Sequence, residues 1–517
     1  MNGAVSMHWA DVIAKEVAEK NEHPIIATGI SPTGILHVGS LREAITGESI
    51  RSALKELGSD VKLNYLIDSF DPLRRRYEFL PEEFEKYVGM PICNIPCPCG
   101  EHDNYAHHFI QPFLDVVESL GVHCNIIWTH ELYAQGKFAE TIDLSIKKAD
   151  EVKKILTEVS GRDKAFIPYN PLCEECGRFT EPILESYEFP YIEYQCKCGH
   201  HGKADVRKME GKLPWRLEWP AKWKIFGTAI EPFGKDHAAA GGSYDTGKRI
   251  VKEIFGGEAP YPVPYEFVQL KGVGQMHKST GSPVTGLDAI GMTPPEVLNY
   301  LFLRVNPQRA IDYDSGMGIL DMSDEYDRME SLFFDGGATE VEENSVRAYE
   351  IAQHNEVPKK KPLQVSCRHL VNLVQMADDF EGVMDILRRT MDLSSASDLD
   401  IQRLRRRSEC VRYWLNGFAP EMVKFSVCRT MPEVQLSDDE RSYFKALAEK
   451  LGSADWKADA INAAITDTAK ASPLGSKKGF QALYKILINR TAGPRLGAFL
   501  ESMDKDFVIG RLIEASN

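Results

Sequence analysis

The sequence predicts an α/β fold on a doubly wound parallel sheet, broken by a cysteine-rich insertion and followed by an all-α half. Three observations predict it: a strand–turn–helix–strand run near the start, two cysteine clusters downstream of it, and helical apolar stripes through the last third. "HPIIATGI" (His23 to Ile30) reads as a short buried strand and "SPTG" as a turn. Leu41, Ala44, Ile45, Ala53, Leu54 and Leu57 then recur at three-to-four spacing until Gly58, which is a helix with a stop. Ser40 and Glu43 have the S-x-x-E spacing of a capping box, which places the helix start at Ser40. "VKLNYLID" (Val61 to Asp68) is the next strand. Such a unit opens a nucleotide-binding sheet, whose ligands sit beyond the carboxyl ends of the strands.

The bulk numbers agree with a soluble multidomain protein. A length of 517 residues exceeds what one core serves, so about three domains are expected. No apolar run reaches the ~20 residues of a membrane span, and the first residues lack a secretory or lipidation pattern, so the expected location is cytoplasmic with no membrane partner. A formal charge of −15 argues against indiscriminate coating of nucleic acid but allows docking on a local basic face. The 11 cysteines are clustered, which in a reducing compartment points to metal sites before disulfides.

Two loops point to phosphate chemistry. In "PTGILHVGS" (Pro32 to Ser40), Gly39 lets backbone approach a phosphate, the helix start adds partial positive charge, and His37 can donate to a phosphate oxygen as charge develops. Far downstream, "LKGVGQMHKSTGSP" (Leu270 to Pro283) is a Gly-rich polar loop in which Lys278 is suited to neutralising a leaving pyrophosphate. Taken singly, each could be an ordinary turn. Together they resemble the paired signatures of the class I aminoacyl-tRNA synthetases, although Ser40 replaces a usual His, and Gln275 and His277 replace the first Lys and first Ser of the second signature.

"MHWADVIAKEVAE", "RLEWPAKWKIFG", "EPFGKDHAAAGGSYDTGK", "GPRLGAFL" and "DFVIGRLIE" narrow the likeness. Along essentially the whole chain the sequence resembles class I lysyl-tRNA synthetase, with glutamyl-tRNA synthetase the nearest related family. The resemblance implies a Rossmann-type catalytic domain with a zinc-bearing insertion, followed by an all-α anticodon-binding domain. It implies a lysine–tRNA ligase that uses ATP with Mg²⁺ to form lysyl-adenylate and passes lysine to the 3′ end of tRNA(Lys), as a monomer. The alternatives are a glutamate-activating enzyme, whose pocket needs Arg or Lys, and a non-catalytic tRNA-binding paralogue.

By that resemblance His37 and Lys278 are catalytic, and ATP is bound by Pro32, His37, Gly39, Ser40, Gly234, Asp236, His237, Met276, Lys278 and Ser279. Gly29 and Ser31 hold the backbone end of lysine and Trp219 packs on its stem, although Trp219, beside Trp215 and Trp223, fits a core equally well. A buried ammonium needs a carboxylate, and of Asp68 and Asp71 we expect Asp68 to supply it.

Cys173-x2-Cys176 and Cys196-x-Cys198 have zinc-ribbon spacing for a structural Zn²⁺, the fourth ligand being open between Cys198 and His200. Cys97, Cys99, His102 and His108 could hold a second Zn²⁺, at a place where the lysyl family often has a Cys/His/Asp cluster. The expected boundaries are 1–90 and 212–335 for the catalytic halves, 91–211 for the insertion and 345–517 for the helical domain. A resumed strand is expected over Val263 to Leu270. In the helical domain Leu370, Leu373, Ala377, Phe380 and Met384 form one stripe, and Phe480, Leu483 and Leu487 another. Lys359–Lys361, Arg403–Arg407 and Lys477–Lys478 are the candidate contacts to tRNA phosphates.

Overall fold

The computed structural model describes residues 7–161, 166–179, 182–272, 274–275 and 284–517. They fall into two compact units, Met1–Ile290 with Pro295–Asp314 and Arg328–Lys359, and Gly291–Pro294 with Ser315–Asp327 and Lys360–Asn517.

The first unit is built on five parallel strands in the order Tyr261–Tyr265, Thr228–Gly234, Ile25–Ile30, Lys62–Ile67, Asn125–Trp128. Ile25–Ile30 lies at the centre and is buried on both faces, which is why it reads as an unbroken apolar run. The chain runs outward from it in one direction, then returns to its other side with Thr228–Gly234. That reversal is a topological switch point, where a crevice opens beyond the carboxyl ends of the strands.

Helix Leu41–Glu56 packs under this centre and is buried over nearly its whole length. Its Arg42, 2% exposed, donates to the carbonyls of Glu266, Asn306, Pro307 and Arg309. The expected capping box is absent. Ser40 has helical angles (φ −67°, ψ −20°) and makes no side-chain cap, because a 3₁₀ turn, Val38–Ser40, leads into the helix and a capping residue needs extended backbone. Glu43 is thereby turned toward the sheet. The expected strand over Val263 to Leu270 is two: Tyr261–Tyr265 belongs to the main sheet, while Val268–Leu270 pairs with Gly274–Gln275 and Ile311–Tyr313 in a second sheet. Glu266, between them, is held to Pro307 and Arg42.

In the chain between strands Asn125–Trp128 and Thr228–Gly234 come helices and a small antiparallel sheet, Ile183–Glu188, Tyr191–Gln195 and His201–Asp205. The second unit is helical. Leu370, Leu373 and Met384 are buried, but the stripe spans two helices, Cys367–Met376 and Phe380–Thr390, with Ala377 at the break and Asp379 capping the second. Leu483 and Leu487 lie in a core with Tyr443, Phe444, Leu447 and Ile461. Capping boxes start the helices Asp398–Gly417 (Ser397 with Asp400) and Asp438–Ser453 (Ser437 with Glu440). Among the described residues no helix is long and apolar enough to cross a membrane.

Candidate active site

A cavity of about 690 Å³ opens at the switch point, lined by residues from the ends of strands Ile25–Ile30, Lys62–Ile67 and Thr228–Gly234. It brings together Gly29, Ser31, His37, Gly39, Ser40, Asp68, Trp219, Gly234, Asp236 and His237. Pro32 is buried beside it in the chain, in the turn leading to His37.

At one end the His37–Ser40 segment is pinned from outside. Val38 N donates to the Val284 carbonyl (3.2 Å), and His37 bridges Thr285. A Cβ on Gly39 would lie 2.9 Å from His37 Nδ1 and 3.3 Å from the Cβ of Val268, so glycine is what lets the imidazole fold over this turn. Gln275 and Gly274 pair with Gln269 and Leu270, next to Val268 on the cavity wall. Met276, Lys278 and Ser279 lie outside the described residues, but the chain on both sides of them is anchored at the His37 end of the cavity.

Gly234, Asp236 and His237 lie where strand Thr228–Gly234 passes into the 3₁₀ turn Lys235–His237. A Cβ on Gly234 would meet Asp236 Oδ1 at 2.7 Å. The His237 ring lies 5.3 Å from Trp219 and 5.9 Å from Trp215, and burial holds its pKa below the ordinary value against the pull of Asp236.

The floor is acidic. Glu43 accepts from Gly29 N (3.0 Å), Tyr265 OH (3.0 Å) and Thr28 Oγ1. Glu231 accepts from the indole N–H groups of Trp219 (2.5 Å) and Trp223. Burial, aided by nearby Glu43, pushes Glu231 up to about 8 despite those donors. A Cβ on Gly29 would lie 2.4 Å from the Leu66 carbonyl oxygen, so no other residue fits this strand end.

Asp68, expected to meet the substrate ammonium, already meets one from the chain itself, that of Lys222. Lys222 also pairs with Glu218 (3.1 Å), which pairs with Lys212 (2.9 Å), which pairs with Asp71 (2.5 Å), whose other oxygen accepts from Ser31 Oγ (2.9 Å). Burial opposes every charge in this chain. The carboxylates nonetheless hold both lysines above their ordinary pKa, and Lys212 holds Asp71 and Glu218 below theirs. Asp68 is the exception, pushed up to about 6 by burial against the attraction of Lys222. Trp219 stacks on Trp215 (5.4 Å, 13° between planes) and is both wall and core. Glu43, Lys212, Glu218, Lys222 and Glu231 were missed by sequence reasoning. A Glu218–Lys222 pair at i,i+4 was visible in "RLEWPAKW", but the crossing to Asp68 joins residues 154 apart.

Away from the cavity, the two cysteine clusters close. The ligand atoms of Cys173, Cys176, Cys196 and Cys198 all lie within 4.8 Å of one another, as do those of Cys97, Cys99, His102 and His108. A tetrahedron with ~2.3 Å metal–sulfur bonds has sulfurs ~3.8 Å apart. Sγ of Cys173 and Cys198 are 3.7 Å apart, and of Cys176 and Cys196 3.8 Å. His200 is turned to Glu174 (2.9 Å), leaving Cys198 to complete the group. In the second cluster both histidines present Nδ1 to the thiols, at 3.2 to 3.6 Å.

Residues 7–355 match the family described as tRNA synthetases class I (K), and residues 419–516 match the anticodon binding domain. A lysine–tRNA ligase of Archaeoglobus fulgidus is 41% identical over 509 residues, covering 98% of this chain and 99% of the relative. One from Thermoplasma volcanium is 42% identical, covering 98% of each. Among solved structures, a glutamate tRNA ligase from Elizabethkingia meningosepticum covers 95% of this chain and 99% of its own at 14% identity, with a TM-score of 0.44. From the match over residues 7–355 and the near-full-length relatives, the chain belongs to the class I (K) tRNA synthetases.

Proposed function

We propose that this protein joins lysine to tRNA at the expense of ATP, acting in the cytoplasm. The observation that carries the proposal is identity of 41% and 42% to lysine–tRNA ligases over nearly the whole chain. The cavity supports it. A glutamate pocket would need a cation held against the substrate, whereas Lys212 and Lys222 are taken up by Asp68, Asp71 and Glu218, Arg216 is held by Gly242 and Thr246, and Arg74 is exposed to solvent. Glu43 accepts from Gly29 N, Tyr265 OH and Thr28 Oγ1, and Glu231 from two indole N–H groups; both face the same space, and an ammonium between them favours the ionised form of Glu231. We therefore move the side-chain partner of lysine from Asp68 to this pair. Ser31, fixed by Asp71, is left for the backbone end of the amino acid.

In the first step a carboxylate oxygen of lysine attacks the α-phosphorus of ATP, the bond to the bridging oxygen breaks, and pyrophosphate leaves with its electrons. His37 donates to the phosphate as charge builds, and the backbone beside Gly39 admits it closely. Lys278, in the loop that follows Gln275, serves the departing pyrophosphate with its ammonium. Mg²⁺ bound with ATP would neutralise phosphate charge. Gly234, Asp236 and His237 take the nucleoside. In the second step the terminal ribose hydroxyl of tRNA attacks the adenylate carbonyl and AMP leaves. The chain places reactants and supplies oriented charge, which is most of what phosphoryl-type chemistry asks of it. Cys173, Cys176, Cys196 and Cys198 would hold a structural Zn²⁺, and Cys97, Cys99, His102 and His108 a second.

The test is amino-acid-dependent ATP–pyrophosphate exchange, with and without tRNA. Exchange driven by lysine is expected. Exchange driven by glutamate and not by lysine contradicts the proposal.

A further inference from the structure

One cation at the cavity has no work in the scheme above. Arg74 lines the mouth, is exposed, and forms no hydrogen bond or ion pair among the described residues. The other cations of the lining are engaged: Lys222 by Asp68 and Glu218, Arg216 by the Gly242 carbonyl and Thr246. The backbone before Arg74 is clamped. Pro72 bridges Pro91, Leu73 N donates to the Met90 carbonyl (2.9 Å), Gly89 N donates to that of Leu73 (2.8 Å), and the Leu73 side chain is fully buried. The guanidinium is thus presented from a fixed base in the segment that follows strand Lys62–Ile67, whereas the nucleoside residues Gly234–His237 follow from strand Thr228–Gly234, on the other side of the central strand. Next along the chain, Arg75, also exposed, lies 5.5 Å over the Tyr77 ring, and Tyr77 stacks on Phe79 (5.4 Å, 10°).

With Tyr77 and Phe79 packed against the core and each other, what the segment offers is its two exposed arginines, and these suit a single-stranded nucleic acid, whose phosphates take the guanidinium fork. Resting on the proposed function, we infer that the Arg74–Phe79 segment is the entry track for the unpaired 3′-terminal nucleotides of tRNA, Arg74 holding a phosphodiester near the terminal ribose. Its position makes it serve the transfer step and leave activation alone.

The test compares the unsubstituted protein with Arg74→Ala, Arg74→Lys and Arg75→Ala in two assays: lysine-dependent pyrophosphate exchange, and aminoacylation against rising tRNA. For Arg74→Ala we expect exchange and the KM for ATP to stay within twofold while the KM for tRNA rises about tenfold, the loss of one charge-assisted contact. Arg74→Lys should fall between, keeping the charge and losing the fork. Arg75→Ala should raise the KM for tRNA severalfold. A tRNA trimmed of its unpaired 3′ nucleotides should compete more weakly than intact tRNA against the unsubstituted protein, and equally against Arg74→Ala. A raised KM for ATP in exchange would assign Arg74 to ATP phosphates and overturn the inference, as would an unchanged KM for tRNA or parallel loss in both assays. Absence of lysine-dependent exchange in the unsubstituted protein would strike the proposed function instead.

Discussion

Glu231 titrates in the physiological range because of where one strand ends. It is carried to the cavity floor by Thr228–Gly234, loses its water there, and receives two indole N–H groups in place of a cation. The folded carboxyl keeps its proton to about pH 8, whereas an ordinary glutamate loses it near 4.5. The unliganded protein should therefore lose stability as pH rises between those values. Lysine, which needs the ionised form, should bind more tightly as pH rises toward 8, with proton release into buffer. Titration calorimetry in buffers of different ionisation enthalpy checks this, and Glu231→Gln should weaken binding and flatten the pH dependence. Gly39 gives a second expectation: Gly39→Ala drives a methyl within 3.0 Å of the imidazole. It should lower the rate of adenylate formation at least tenfold with little change in lysine affinity, read by single-turnover kinetics. His37, Gly39 and Gly234 were legible in the sequence because their chemistry is local: a ring, a bare backbone, a strand end. Asp68 was legible as a cavity carboxylate, but its pairing with Lys222 was not, since that lysine arrives from 154 positions away.

At the scale of elements, strand Gly211–Lys212 pairs with Asn170–Pro171 just before helix Trp215–Phe226, and Lys212 reaches from it to Asp71 and Glu218. The antiparallel sheet has a mostly exposed first strand, and the thiols of Cys173, Cys176, Cys196 and Cys198 converge beside it, so a metal held there would tie the two loops together. Elemental analysis should find zinc in the purified protein. Cys176→Ser should release one equivalent and open the insertion to protease at sites between Ile183 and Asp205. A metal-free protein with an equally protected insertion would contradict this. The ribbon was legible from spacing alone, because four thiols must converge within a few residues of tight turns. The break at Ala377 and the division of Val263 to Leu270 were not, since periodicity carries no record of which sheet or helix receives each half.

Across the whole molecule, 76 acidic residues outnumber 61 basic ones, so a polyanion is met by local patches against an opposing net field. Of the basic runs, Lys360, Lys361, Lys477 and Lys478 are exposed, while Arg407 is spent on Asp327 and Arg405 on Glu381 and the Phe380 ring. Lys477→Ala with Lys478→Ala should weaken tRNA binding and reduce its salt slope by about 1 to 2, leaving pyrophosphate exchange unchanged. The α/β and helical halves were readable from the order of periodicities, but the way 154 to 264 residues of separation are closed by Lys222–Asp68 and by Arg42 on Asn306 was not. The claim on which the rest depends is that His37 and the loop of Lys278 act on one triphosphate. Lysine-dependent ATP–pyrophosphate exchange of Lys278→Ala beside the unsubstituted protein tests it most directly: a fall of about a hundredfold with unchanged lysine affinity is expected, and an undiminished rate would contradict it.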